Sequence, residues 1–183
     1  MDGSASTGGP GELRVVVGVD GSVGDRAALR HGLDEARRRG ARLEVVAAFI
    51  SPERLAVVNR LPIVSVRAEM APAVEAAVRA EVDEVVAGDI AENPGLVAPV
   101  VTVRAEAGDP GPVLTAAAAG AQLLIVGHRG RGGVATTLLG SVGWWCLRHA
   151  PCPLTIVPPR SQRTRTDAAD GGAAAVPAVA GSG

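Results

Sequence analysis

The chain has 183 residues, a formal net charge of −1 and 47% apolar residues, with one Phe, two Trp and no Tyr. That length suits one domain with tails, and the near-neutral, aromatic-poor composition supplies neither the basic field nor the stacking platforms of a nucleic-acid binder. No apolar run approaches the roughly 20 residues that cross a bilayer, Cys146 and Cys152 make no disulfide framework, and the opening segment carries Asp2 where a signal peptide is basic, so a reduced, cytoplasmic protein is expected.

Residues 1–11 are rich in Gly, Ser and Pro, and residues 159–183 drift into Ala, Gly and Pro. Neither segment buries enough apolar surface to offset the entropy of ordering, so both are expected to be disordered around one domain at 12–158. Residues 13–19 are apolar apart from Arg14 and predict a buried strand. Ser22 offers an N-cap, with Asp25 as its capping-box partner. Ala28, Leu29, Gly32, Leu33 and Ala36 then form an apolar stripe at helical spacing. Arg37, Arg38 and Arg39 suit the negative end of that helix better than they suit a nucleic-acid patch, and Gly40 supplies the stop. A second strand is predicted at 43–50, followed by a loop at 51–67 punctuated by Pro52 and Pro62.

A long helix is predicted at 68–87, with Val74, Val78, Val82 and Val85 on one face and Glu69, Glu75, Glu81 and Glu84 on its solvated side. Residues 97–103 predict the third strand. Asp109 caps a short helix that has Pro112 in its first turn and runs to Ala119. The fourth strand falls at 123–126, the last helix at 140–149 and the last strand at 154–157. This alternation predicts an α/β fold, a single open five-stranded parallel sheet with helices on both faces. Ligands of such sheets bind at the carboxyl ends of the strands, near the point where strand order reverses. Asp20 and Gly127 follow the first and fourth strands.

From Gly127 the sequence reads Gly-His-Arg-Gly-Arg-Gly-Gly-Val-Ala-Thr-Thr-Leu-Leu-Gly-Ser, ending at Ser141. Glycines let backbone approach a ligand closely, and their N–H groups form anion-binding concavities. Ser141 opens the next helix, whose N-terminus favours phosphate. No Lys follows these glycines, which excludes a P-loop. Gly130-x-Gly132-x-x-Ala135 matches a loose dinucleotide fingerprint but follows the fourth strand and lacks the later acidic residue, so it is read as chance.

The spacing Gly-x-x-Gly, nine residues, then Gly-Ser at Gly127, Gly130, Gly140 and Ser141 resembles that of the universal stress protein family. So do the strand ending Val19-Asp20-Gly21-Ser22 and the closing segment from Leu147 to Val157. The resemblance spans about residues 12–158 and implies a Rossmann-like, adenine-nucleotide α-hydrolase-like fold that binds ATP, often with a divalent ion such as Mg2+. It implies nucleotide contacts at Gly18, Asp20, Gly21, Ser22, Ala47, Gly127, Arg129, Gly130, Gly140, Ser141 and Val142. Asp20 would lie near the ribose and the metal, the Ala47 backbone near adenine, and the loop residues along the phosphates. It also implies a homodimer through the last strand, residues 153–157, from Pro153 to Val157. His128 and Gln122 depart from the usual Ser and Asp, and His128 is read as a solvated loop histidine.

Cys146, His149 and Cys152 lack a fourth ligand and are read as buried thiols beside a histidine. Of the adjacent Trp144 and Trp145, one is expected in the core and the other exposed. No catalytic constellation is visible, so ATP binding for regulation or stress response, with at most slow hydrolysis, is the expected function. The alternatives are an ATP-cleaving or adenylating enzyme of the same superfamily and a nucleotide-free dimeric interaction module.

Overall fold

The computed structural model describes residues 13–21, 24–50, 67–128 and 139–158. Both tails, the 51–66 connection, Ser22, Arg129 and Gly130 lie outside the described residues. The elements are β1 (Arg14–Val19), α1 (Asp25–Arg39), β2 (Arg42–Phe49), α2 (Arg67–Glu92), β3 (Val101–Ala107), α3 (Pro110–Ala117), β4 (Leu123–Gly127), α4 (Ser141–His149) and β5 (Leu154–Val157). The five strands form one parallel sheet in the order β3-β2-β1-β4-β5. No helix among the described residues is long and apolar enough to cross a membrane.

β1 lies between β2 and β4 and is covered on both faces, which explains its continuous apolar run. Alternate residues serve two cores. Val15, Val17 and Val19 pack with Leu29 and Leu33 of α1 and with Val78, Val82 and Val85 of α2. Val16 packs with Val113 and Leu114 of α3 and with Cys146 of α4. Gly32 sets the approach of α1, because a Cβ there would lie 2.5 Å from Cγ2 of Val17. α1 ends on Gly40 in the left-handed conformation, φ 59°. Its terminal arginines are taken up by carboxylates: Arg37 pairs with Asp34 and Asp89, while Arg38 and Arg39 pair with Glu35.

Four expectations need correction. α1 begins at Asp25 behind an N-cap at Gly24, not behind Ser22, because Asp25 turns back into the β1–α1 turn and is buried. α2 runs on to Glu92, where the buried Asp89 ties its last turns to Arg37. β3 begins at Val101, and Val97 is 84% exposed. Pro99 has no N–H to give a ladder, whereas an edge strand tolerates the polar Arg104 and Glu106. Arg104 Nε donates to Glu44 Oε1 on β2 at 2.6 Å. Finally, neither tryptophan is in the core: Trp144 is 54% and Trp145 42% exposed. Trp145 stacks on His149 with ring centroids 4.3 Å apart, and a Cβ on Gly111 of α3 would come within 2.4 Å of its ring.

Candidate functional site

From β1 the chain moves outward to β3, then crosses to the other side with β4. Strand order therefore reverses between β1 and β4, and the crevice at their carboxyl ends is where a ligand of this fold sits. Gly18 pairs with Val126, so Asp20 and His128 leave the sheet from adjoining strand ends. On the other flank Val19 pairs with Ala47. Gly18, Asp20, Gly21, Ala47 and Gly127 thus gather at one edge.

His128 joins this edge to α4. Its N–H donates to the Val157 carbonyl at 2.8 Å, and its carbonyl accepts from the Gly140 N–H at 3.1 Å. Both ends of the glycine-rich loop are pinned together by these bonds. Gly140 is the N-cap of α4, and Ser141 is its exposed first residue, followed by Val142. The first N–H groups of a helix have no acceptor within it and carry the positive end of the dipole. α4 has no acidic residue in its first turn. Residues 110–166 contain no Asp or Glu at all. His128 is partly buried rather than solvated, and its Nδ1 is shut from solvent with no hydrogen-bond partner among the described residues. An anionic group suits this side of the crevice.

The β1–α1 turn has the opposite character. Asp20 is exposed, while Asp25 is 3% exposed. Asp25 Oδ2 accepts the N–H of Asp20 at 2.9 Å and that of Gly21 at 2.5 Å. Gly21 has φ 77°, which only glycine adopts without strain and which lets the two N–H groups converge.

No group of three or more His, Cys, Asp or Glu that would hold a metal occurs among the described residues. A divalent ion at Asp20 would therefore depend on ligand oxygens for most of its shell. Cys146, His149 and Cys152 form no such group either. Burial pushes the Cys146 thiol up to about 11 and raises Cys152, while His149 Nδ1 lies 2.9 Å from the Trp145 carbonyl oxygen.

Of the expected site residues, Gly18, Asp20, Gly21, Ala47 and Gly127 lie toward or just past the carboxyl ends of β1, β2 and β4, and Gly140, Ser141 and Val142 open α4. Ser22, Arg129 and Gly130 lie outside the described residues. Sequence reasoning missed the use of Asp25 and the enclosure of His128. The acid-free stretch was a visible signal, had charge been followed along the chain.

Residues 13–158 match the family model described as the universal stress protein family. A universal stress protein of Mycolicibacterium smegmatis is 34% identical over 148 residues, which are 81% of this chain and 46% of that protein. The chain spans about half the length of the curated relatives it matches. The universal stress protein UspA from Lactobacillus plantarum shares the fold at 20% identity and a TM-score of 0.59, over 79% of this chain and 97% of that one. A universal stress protein in complex with cAMP is 25% identical with a TM-score of 0.51, over 80% of this chain and 97% of that one. The chain belongs to the universal stress protein family.

Proposed function

We propose that this protein binds ATP, together with Mg2+, in the crevice between β1 and β4 and acts as a nucleotide-dependent regulatory protein in the stress response. The observation that carries the reading is the bond from the Gly140 N–H to the His128 carbonyl, which sets the acid-free start of α4 against the end of β4, the strand next to β1 and Asp20. On this reading the nucleoside lies toward Gly18, Asp20, Gly21, Ser22 and the Ala47 backbone. The phosphates lie toward Gly127, Arg129, Gly130, Gly140, Ser141 and Val142, with Mg2+ between them and Asp20. On this reading the site holds the nucleotide without positioning an attacking water, and turnover is slow or absent. The cAMP complex of a 25% identical relative favours a second ligand, a cyclic adenine nucleotide, in the same crevice.

The reading extends to a cytoplasmic homodimer. Among the described residues β5 is a sheet edge, paired only with β4, and an unprotected edge invites a partner strand. Residues 153–157 of two copies would meet there.

The test is the nucleotide carried through purification. Acid extraction and chromatography should recover an adenine nucleotide from the parent protein and none from a folded Gly140→Val variant. Equal recovery from both would overturn the assignment of the loop.

A further inference from the structure

We propose that Asp25 is a positioning residue: it fills the anion-binding turn that leads into α1 with the chain's own carboxylate, so that a ligand's phosphates turn to α4. The inference rests on the nucleotide-binding reading of the crevice and explains how that crevice is oriented. Two helices, α1 and α4, begin at the carboxyl edge of adjoining strands. Each offers N–H groups and the positive end of a dipole, so either would hold a phosphate. The chain makes them unequal.

In the turn that leads into α1 the place is taken. Asp25, the first residue of the helix, is buried, and its Oδ2 collects the N–H groups of Asp20 and Gly21. A carboxylate there occupies two backbone donors that an anion would otherwise use, and Asp20 is a second acid in the same turn. A phosphate would compete for the same donors against like charge. At α4 the first turn has no acid, and no acidic residue occurs between positions 110 and 166. The Asp25 bonds also fix the backbone of Asp20 and Gly21, the turn on which the nucleoside side of the crevice depends. Polarity and shape of the crevice thus come from one side chain that no ligand needs to touch.

The experiment compares Asp25→Asn and Asp25→Ala with the parent. Calorimetry measures the affinities for ATP, adenosine and inorganic phosphate at two salt concentrations, and circular dichroism verifies folding. Asp25→Asn keeps an acceptor oxygen for the two N–H groups and removes the charge. It should raise the ratio of ATP to adenosine affinity at least about threefold at low salt, the gain fading as salt screens it. Asp25→Ala also releases the turn and should weaken adenosine binding about tenfold. A parent protein that binds neither ATP nor adenosine overturns the nucleotide reading itself. A parent that binds both, with the same ATP-to-adenosine ratio in Asp25→Asn, overturns only the role of Asp25. A purely structural role would lower stability and leave that ratio and its salt dependence unmoved.

Discussion

Glu44 is the residue whose removal should be felt most on the sheet face shared with α3 and α4. It is 4% exposed on β2 and is clasped by Arg14 Nη1 and Arg104 Nε, each at 2.6 Å. Breaking a buried ion pair from one side costs about 3–5 kcal/mol, because the remaining charge is stranded. Here part of that cost is recovered. The Arg104 side chain is 36% exposed and keeps Glu106, and Arg14 keeps the Ala119 carbonyl. Glu44→Ala should therefore fall near the lower end, about 3 kcal/mol, read from urea unfolding by circular dichroism at pH 7. The pH dependence follows from the same contacts. Burial alone would raise the Glu44 carboxyl, but the hydrogen bonds and charges of Arg104 and Arg14 outweigh it and hold it below its ordinary 4.5. A group depressed in the folded state stabilises above its unfolded value, and that stabilisation is lost as pH falls through the folded one. The parent should lose stability below about pH 4.5 more steeply than Glu44→Gln. A loss under about 1 kcal/mol in Glu44→Ala with an unchanged m-value, or identical acid profiles for parent and Glu44→Gln, would refute the reasoning.

Gly32→Ala forces a methyl against Val17 across the α1–sheet contact. It should destabilise by about 1–3 kcal/mol despite the roughly 1 kcal/mol gain in helix propensity, and a stabilised variant in urea unfolding would contradict that packing. Cys146, buried and pushed up to about 11, should resist iodoacetamide at pH 8 in the native protein, with Cys152 labelled first by mass spectrometry. Labelling of Cys146 at a free-thiol rate would show that α4 opens. Along β5 the carbonyls of Pro153 and Val157 face β4, so the intervening Ile156 turns its N–H to the open edge. Ile156→Pro should convert a dimer to a monomer in light scattering while the fold persists, and an unchanged mass would place the interface elsewhere.

The fold was legible because its central strands are buried on both faces. Residues 15–19 and 123–126 show that as runs without a polar side chain, and the Leu29–Leu33 stripe shows the helix between sheet and solvent. The edges were less legible. β3 slid to Val101–Ala107 because edge pairing is set by Pro99 and by the Arg104–Glu44 contact across 60 positions, not by local apolarity. The glycine spacing of the candidate site was visible as a pattern, although Gly140, at φ −70°, holds a conformation open to any residue. Asp25 was read as a local cap, and its reach back to Asp20 and Gly21 depends on a turn that pattern reading does not resolve. Trp145 escaped the core because it packs over Gly111 of another helix, a contact that adjacency to Trp144 does not encode.

The most direct test of the account is ATP binding by the full chain, stripped of nucleotide and verified as folded, measured by calorimetry with and without Mg2+. The account predicts one site per chain, tighter with Mg2+ and lost in Gly140→Val, with little ADP formed over an hour. No heat of binding from the folded, stripped protein under either condition would contradict it.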